Sequence, residues 1–444
     1  MKLARPPIER RRPRGGEPIR LALLGCGVVG GGVLSLLQKN AGQITERVGV
    51  PVEVHKILVR DLSKARVPEA ERLPRTTVLA DVTEDPDVDV FVEVMGGLDP
   101  AGDVLDSVLA RGRSVVTANK ALLAARGVDL FQRARDHRAD LAFEAAVGGG
   151  IPIVRTLRDA AASDEIIGIA GILNGTSNYI LTEMTARGAA YADALAGAQA
   201  RGFAEADPTL DVGGFDAAQK LLVLSMLAFG ANPPRLEDVL IEGISSLERS
   251  DLEMVDKLGF AVKHLVVGKD HGGAIELRAH PALLKKSSVF ANVSGALNAV
   301  KLEGRALGPL FMSGRGAGDL PTAVSVVADI IEVSRNLVAG AAGLLTGQRA
   351  LAQRVVLPAN EFELRYYLRF DVRDEPGVLA KIAQALAHHG VSISQIIHSE
   401  ARDREAQIVI VTHAAKEGAV KFALAGAAAL VTRPPGLIRL EDLT

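Results

Sequence analysis

With 444 residues the chain is long enough to bury several cores, and two or three domains are expected. Its 51 Lys and Arg balance 53 Asp and Glu, which removes any global electrostatic case for nucleic acid or an anionic membrane and leaves a small molecule as the expected partner. The single cysteine, Cys26, excludes an intrachain disulfide framework, in keeping with a cytoplasmic protein, and no apolar run approaches the roughly 18 residues of a membrane span.

Residues 1–18 are basic and proline-bearing, lack the pattern of a secretory signal, and read as a disordered basic extension. The apolar, non-alternating run Ile19–Leu24 then reads as a strand buried on both faces. It leads into Gly25-Cys26-Gly27-Val28-Val29-Gly30, just ahead of the helical spacing Val33, Leu34, Leu36, Leu37. This is where a nucleotide pyrophosphate is expected: Gly25 for the tight turn, Gly27 for close approach of N–H groups, Gly30 for strand–helix packing, with the helix N-terminus offering donors to the anion. Cys26, inside the turn, is expected to pack.

The next strand, Val52–Arg60, ends in Arg60-Asp61, with Lys64 and Arg66 close behind. A base at that strand end accommodates a ribose 2′-phosphate and an acid holds a 2′-OH, so Arg60 favours NADP while Asp61 keeps NAD open. A solvated charged loop is the other reading. Asp89–Gly97 and Ser114–Lys120 are further strands, and at their ends Gly96, Gly97, Thr117, Asn119 and Lys120 are expected to face the cofactor cleft. The last strand of this set, Leu141–Glu144, runs into Gly148-Gly149-Gly150-Ile151-Pro152, a hinge or close backbone packing whose carbonyls, with Glu144, suit a hard cation.

Beyond residue 154 the pattern changes. The apolar strand Ile166–Leu173 ends in Asn174-Gly175-Thr176-Ser177-Asn178, and the stretch from Arg201 to Lys220 brings acids and a lysine to the start of an apolar helix. Asp216 and Lys220 lie four apart on one helical face, either as a surface ion pair or as a positioned acid/base lysine. Further on, Ser313–Ala323 is a glycine loop before an apolar helix, Gln348–Glu363 reads as a linker, and residues 364–444 give the order βαββαβ of a ferredoxin-like module.

Taken together and in order, GCGVVG, EVMGG, TANK, the Glu144–Pro152 stretch, NGTSNY and GFAEADPTLDVGGFDAAQK resemble the homoserine dehydrogenase family over residues 19 to about 345. The C-terminal Asp374, Pro376, Gly377, Leu379 and Ile382 resemble the DxPGxLxxI motif of an ACT domain. The resemblance implies an α/β protein with a Rossmann-like dinucleotide-binding domain at 19–153, completed by 311–345. It also implies an α+β substrate and dimerisation domain at 154–310, a linker at 346–363 and the ACT domain at 364–444.

It implies hydride transfer between a nicotinamide cofactor and L-aspartate 4-semialdehyde, giving L-homoserine on the route to threonine and methionine. Lys220 matches the proton donor and Lys120 a second active-site lysine, with Asp216 in support. Glu205 and Asp211 match acids that hold the substrate amino group, and Asn174, Gly175 and Thr176 match the substrate loop. Gly25, Gly27, Val28, Val29, Gly30, Arg60, Gly96, Thr117, Lys120 and Gly316 fall on the cofactor side. Glu144, Val147, Gly149 and Ile151 match a site for a monovalent cation, sodium or potassium. The same resemblance implies a homodimer or homotetramer, with L-threonine as effector near Gly390. An amino-acid sensor without turnover, or a dehydrogenase of a related semialdehyde, are the other readings; Lys120, Lys220 and Asp211, whose loss would favour the sensor, are all present.

Overall fold

A computed structural model describes residues 16–230, 235–346, 353–398 and 405–443. Residues 1–15 of the expected basic extension and 347–352 of the expected linker lie outside the described residues. The chain divides into two compact units, the first drawn from residues up to 166 with 222–235 and 304–353, the second from 167–221, 236–303 and 354–444.

Unit one holds a six-stranded parallel sheet. Its strands are β1 (Ile19–Leu24), β2 (Val52–Leu58), β3 (Arg75–Thr76), β4 (Val90–Glu93), β5 (Ser114–Thr117) and β6 (Leu141–Ala142), in the order β3-β2-β1-β4-β5-β6. That is the order of a doubly wound dinucleotide-binding sheet, and the order reverses at β1, which carries the glycine turn. Strands covered on both faces need no polar alternation, which is why Leu21, Leu23, Val90, Val92 and Val116 share one buried core. Helix α1 (Val28–Lys39) lies over this core, and the late helix Asp319–Val338 adds Ala323, Val326, Ile330 and Val333 to it. A Cβ at Gly32 would stand 3.1 Å from the Ala323 Cβ, so the absent side chain sets how closely these two helices meet. Helix α2 (Lys120–Asp136) follows β5.

β2 stops at Leu58, two residues short of the expected Arg60. The charged residues instead fold on themselves, Ser63 N donating to Asp61 Oδ1 at 2.8 Å and Arg66 to the Asp61 carbonyl at 2.6 Å.

Unit two is built on a mixed sheet. In chain order its elements are β7 (Ile166–Ile172), α3 (Gly175–Arg187), α4 (Thr209–Val212), α5 (Phe215–Phe229, whose first turns lie here), β8 (Leu240–Ile241), β9 (Phe260–Asp270), β10 (Ala274–Lys285) and β11 (Leu297–Gly304). The C-terminal module adds β12 (Glu363–Arg373), α6 (Val378–His388), β13 (Ile393–His398), β14 (Glu405–Thr412), α7 (Glu417–Ala427) and β15 (Gly436–Leu440). The sheet runs β11-β7-β9-β10-β15-β12-β14-β13, with the long β9–β10 hairpin registered from Ile275↔Asp270 to Lys285↔Phe260.

The module has the ferredoxin-like βαββαβ order, and β15 joins it to the rest of the sheet by pairing parallel to β10, Ala282↔Arg439 and Leu283↔Leu440. One face of the continuous sheet buries Tyr367, Val409 and Ile438 in the same cluster as Ile180, Leu252 and Val255, while Phe370, Ile382, Leu386 and Val420 pack beneath α6 and α7. Part of the expected linker is also sheet: Val355 and Val356 pair parallel to Ala274 and Ile275, because apolar β-branched residues beside an open edge satisfy their backbone by joining it. No helix among the described residues is long and apolar enough to cross a membrane.

Candidate active site

In unit one the glycine turn is built as its spacing predicts. Gly25 adopts φ +98°, and a Cβ there would lie 2.8 Å from the Val94 carbonyl oxygen. A Cβ at Gly30 would lie 2.5 Å from the Gly25 carbonyl, so a neighbouring backbone oxygen excludes a side chain at each position, from just beyond β4 at Gly25 and from within the turn at Gly30. Gly27 differs: nothing lies within 4 Å of where its Cβ would be, and as N-cap of α1 it brings no side-chain cap. Among the described residues no contact explains that glycine, and the space beside the open start of α1 is left clear for a group approaching from outside. Val28, beside it, is 74% exposed at the open helix end, and Val29 is half-buried.

The ends of β4 and β5 are tied by Glu93, a fully buried carboxylate that sequence reasoning passed over. Its Oε1 accepts from Met95 N (2.8 Å) and Gly96 N (3.0 Å), and its Oε2 accepts the Thr117 hydroxyl (2.5 Å). Asn119 donates to the Gly97 carbonyl at 2.7 Å and caps α2 through Leu122 N at 3.1 Å. Gly96 and Gly97, at φ +71° and +78°, are thereby held exposed beyond the carboxyl ends of the strands, and Lys120 is the half-buried first residue of α2. The signal available was a charged residue in an otherwise apolar strand that stops at glycines.

Gly149 and Gly316 meet backbone to backbone: a Cβ on Gly149 would collide with the Gly316 carbonyl, and Gly150 N donates to Arg315 O at 3.0 Å. The Glu144 carboxylate is engaged by backbone N–H groups. Its oxygens accept from Val154 N (2.9 Å) and Arg155 N (2.8 Å), so it caps the turn that follows the glycines. Burial, reinforced by the neighbouring Asp329 carboxylate, pushes Glu144 up to about 7, and burial raises Asp329 to about 6, with Arg155 bridging Asp329 at 2.9 Å and Glu332 at 2.8 Å. Of the expected carbonyl donors, Gly149 O accepts the Ser325 hydroxyl (2.6 Å), Ile151 O accepts Ile153 N (2.8 Å), and Val147 is buried. His55, Asp85 and Asp87 form a separate grouping of metal-ligand geometry, but Lys56 sits 2.7 Å from Asp85 and Arg20 2.9 Å from Asp87, which already neutralises the acids. A cavity of about 510 Å³ in unit one is lined by Leu157, Arg158, Met226 and Leu345, residues of neither the glycine turn nor the strand ends, and Arg158 is committed to Asp159 and Glu332.

Unit two assembles the acids and the lysine. Lys220 Nζ donates to Asp216 Oδ2 and to the Leu173 carbonyl, each at 2.7 Å. Asn174 joins the two acids, its amide donating to Asp211 Oδ1 at 2.8 Å and Asp216 Oδ2 at 2.9 Å, while its own oxygen caps α3 through Ser177 N at 2.8 Å. Thr176 donates to the Phe203 carbonyl at 2.6 Å, and the Ser177 hydroxyl to the Asp211 carbonyl at 3.0 Å. Gly175 lies where a Cβ would come within 2.8 Å of the Ala296 carbonyl, so the start of α3 fits tightly under that loop. Burial pushes the Asp211 carboxyl above its ordinary value, against the Asn174 hydrogen bond that lowers it. Asp211, Asp216, Asn174 and Lys220 therefore form one network, and Thr176 borders it with its hydroxyl 3.4 Å from Asp211 Oδ2. Glu205 stands apart from it: the residue is exposed, and what ties it locally is its carbonyl, which accepts from Gln199 at 3.1 Å.

Comparison with known proteins places this geometry in context. Residues 25–144 match the family profile described as homoserine dehydrogenase, NAD binding domain; residues 152–331 match homoserine dehydrogenase; residues 366–421 match the ACT domain. The chain is 42% identical to the homoserine dehydrogenase of Neisseria gonorrhoeae over 437 residues, 96% of this chain and 99% of that one. It is 40% identical to that of Pseudomonas aeruginosa over 435 residues, covering 96% and 100%. A crystal structure of a homoserine dehydrogenase from Thiobacillus denitrificans superposes with a TM-score of 0.91 at 43% identity, covering 96% of this chain and 99% of that chain. The chain therefore belongs to the homoserine dehydrogenase family, NAD(P)-dependent oxidoreductases that here carry a C-terminal ACT domain.

Proposed function

We propose that the chain interconverts L-homoserine and L-aspartate 4-semialdehyde with NADP(H), and the observation that carries this is the network joining Lys220, Asp216, Asn174 and Asp211. Among the described residues two of the three N–H donors of Lys220 are used, by Asp216 and Leu173, which leaves the third for a substrate oxygen. That donor stabilises the negative charge growing on the aldehyde oxygen during reduction and delivers the proton to it; in the reverse direction it takes the proton back. Asp211 and Asp216 oppose the substrate ammonium, and Asn174 holds these like charges at a fixed separation. Bound nicotinamide supplies or accepts the hydride. Gly27 and the uncapped start of α1 would hold its pyrophosphate, and Glu93 fixes Gly96 and Thr117 at the strand ends. Lys120 as a second active-site lysine, and Glu205 as a further acid for the substrate amino group, rest on the family resemblance.

NADP is favoured over NAD by the loop after β2. The Asp61 carboxylate that would hold a 2′-OH is engaged by the Ser63 hydroxyl at 2.7 Å and the Ser63 N–H at 2.8 Å, which lower its pKa, while Arg66 is turned onto the Asp61 and Lys64 carbonyls. Arg60 is exposed and has no hydrogen bond or ion pair among the described residues, so it is available to a 2′-phosphate. With the Glu144 carboxylate committed to its cap, the donors of the proposed cation site are uncharged carbonyls of Glu144, Val147, Gly149 and Ile151, a set suited to sodium or potassium rather than to a divalent ion. The ACT domain supports L-threonine as effector, with Gly390, at φ +72° between α6 and β13, beside its site, and a cytoplasmic homodimer or homotetramer completes the reading.

The test is the initial rate of nicotinamide reduction by purified protein with L-homoserine, sodium or potassium present, NADP and NAD in parallel, with and without L-threonine. A homoserine-dependent rate, faster with NADP and lowered by threonine, is expected. No rate with either cofactor from folded protein overturns the assignment.

A further inference from the structure

Arg439 on β15 is fully buried and grips two carboxylates. It meets Glu242 fork to fork at 2.6 and 2.7 Å, and Glu417 through Nε at 2.7 Å and through a second nitrogen. Glu242 lies directly after β8, outside the C-terminal module, with its N–H on the Ala279 carbonyl at 2.9 Å and its own carbonyl accepting from His264 Nε2 at 3.0 Å. The residues that follow press on the loop between the two substrate-side acids. A Cβ at Gly243 would collide with the Val212 carbonyl, Ile244 N donates to that carbonyl at 2.9 Å, and a Cβ at Gly214 would lie 3.0 Å from His264 Nε2 and 3.2 Å from the Glu242 carbonyl. Segment 242–244 is thus braced backbone to backbone against 212–214, the connection from Asp211 on α4 to Asp216 on α5.

We infer that Glu242 is a positioning residue for Asp211 and Asp216: held by Arg439 of the C-terminal module, it fixes the 242–244 backbone, and that backbone fixes the separation of the two acids. The inference rests on reading those acids as the substrate side of the active site. It gives the module a physical route to the acids, by direct contact at every step, through a carboxylate engaged by Arg439. The two ends differ in what a substitution leaves behind: without Glu242 the Arg439 guanidinium keeps Glu417, whereas without Arg439 the buried Glu417 carboxylate keeps only Lys421 at 3.0 Å and the Tyr366 hydroxyl at 3.3 Å, so the Arg439 variants lose stability and Glu242→Gln is the gentler test.

Full-length Glu242→Gln, Arg439→Lys, Arg439→Met and the double variant Glu242→Gln/Arg439→Met test this. Hydrogen exchange of the peptide covering 209–216 is expected to accelerate about fivefold or more in Glu242→Gln and Arg439→Met, less in Arg439→Lys, and no further in the double variant than in the stronger single one. Steady-state kinetics are expected to show the homoserine KM raised about fivefold with the NADP KM within about twofold, a split that mere loss of folded protein does not produce. Unchanged exchange at 209–216 in folded Glu242→Gln and Arg439→Met overturns the inference, and so does faster exchange with an unaltered homoserine KM. Native protein without homoserine turnover would overturn the proposed reaction instead, and the exchange result would still decide whether Arg439 and Glu242 hold the loop.

Discussion

The Lys220 ammonium sits 2.7 Å from the Asp216 carboxylate, one helical turn away on α5, and each side chain is only 11% exposed. An exposed pair at this spacing contributes a few tenths of a kcal/mol; this pair, sheltered and joined to the Leu173 carbonyl, fixes where the ammonium proposed as proton donor stands. Replacing Lys220 by Met is therefore expected to lower kcat by about 10²–10⁴-fold with a much smaller change in homoserine KM, and Lys220→Arg, which keeps charge but moves it, to fall between. Steady-state rates at saturating cofactor check this; a Met variant within about tenfold of native kcat would remove Lys220 from the proton-transfer role.

Asn174 serves two ends at once. Its amide separates the like charges of Asp211 and Asp216, and its oxygen caps α3. Asn174→Ala is expected to cost about 1–2 kcal/mol of stability from the lost cap and to raise the homoserine KM as the acids lose their shared donor. Urea unfolding with parallel kinetics reads both; stability lost without a KM change would leave Asn174 a cap alone.

Glu93 organises the cofactor side through three hydrogen bonds, two from backbone N–H groups after β4 and one from Thr117. A glutamine has one acceptor oxygen where the carboxylate has two, so Glu93→Gln either releases the Met95 and Gly96 N–H groups or turns an amide N–H onto Thr117, whose hydroxyl then loses its acceptor. The NADP KM is expected to rise about tenfold while the homoserine KM stays within about twofold. Equal effects on both constants would refute a cofactor-side role.

His264 gives a pH dependence of definite sign. Burial holds it neutral, down to about 4 from 6.5, against the raising effect of its hydrogen bond to Glu242. Its folded pKa lies below the unfolded one, so between those values the unfolded chain binds more protons. The stability it confers is complete above about pH 6.5 and is lost as pH falls toward 4, by an amount on the order of 2–3 kcal/mol. His264→Gln, which can still donate to the Glu242 carbonyl, is expected to flatten the unfolding free energy over that window; an unchanged slope would assign it to other groups.

Much of this was legible in the sequence, for physical reasons. Strands covered on both faces show as continuous apolar runs, Gly30 is required by a backbone contact five residues away, and the Asp216–Lys220 pair is dictated by helical spacing. What escaped depends on contacts remote in the chain. Asn174 bridges acids 37 and 42 residues away, which no local spacing announces. Glu144 offers a carboxylate beside carbonyls, a pattern equally suited to a cation and to a helix cap, and the distances favour the cap. The pairing of β10 with β15 joins residues more than 150 apart, so the C-terminal module reads as detached beyond a linker although it shares one sheet with the rest of unit two.

That pairing bears on how the protein is made. β15 is the latest strand of the sheet in chain order, yet it lies in the interior, between β10 and β12. Until residues 436–440 have left the ribosome, β12 presents an open edge along Arg365–Arg369 and β10 a shorter one at Ala282–Leu283, the kind of edge that recruits other chains. Translation that stalls ahead of Gly436 would release a polypeptide carrying a nearly whole catalytic portion and two adhesive edges, so the nascent chain has most need of chaperone cover until Gly436–Leu440 have emerged and paired.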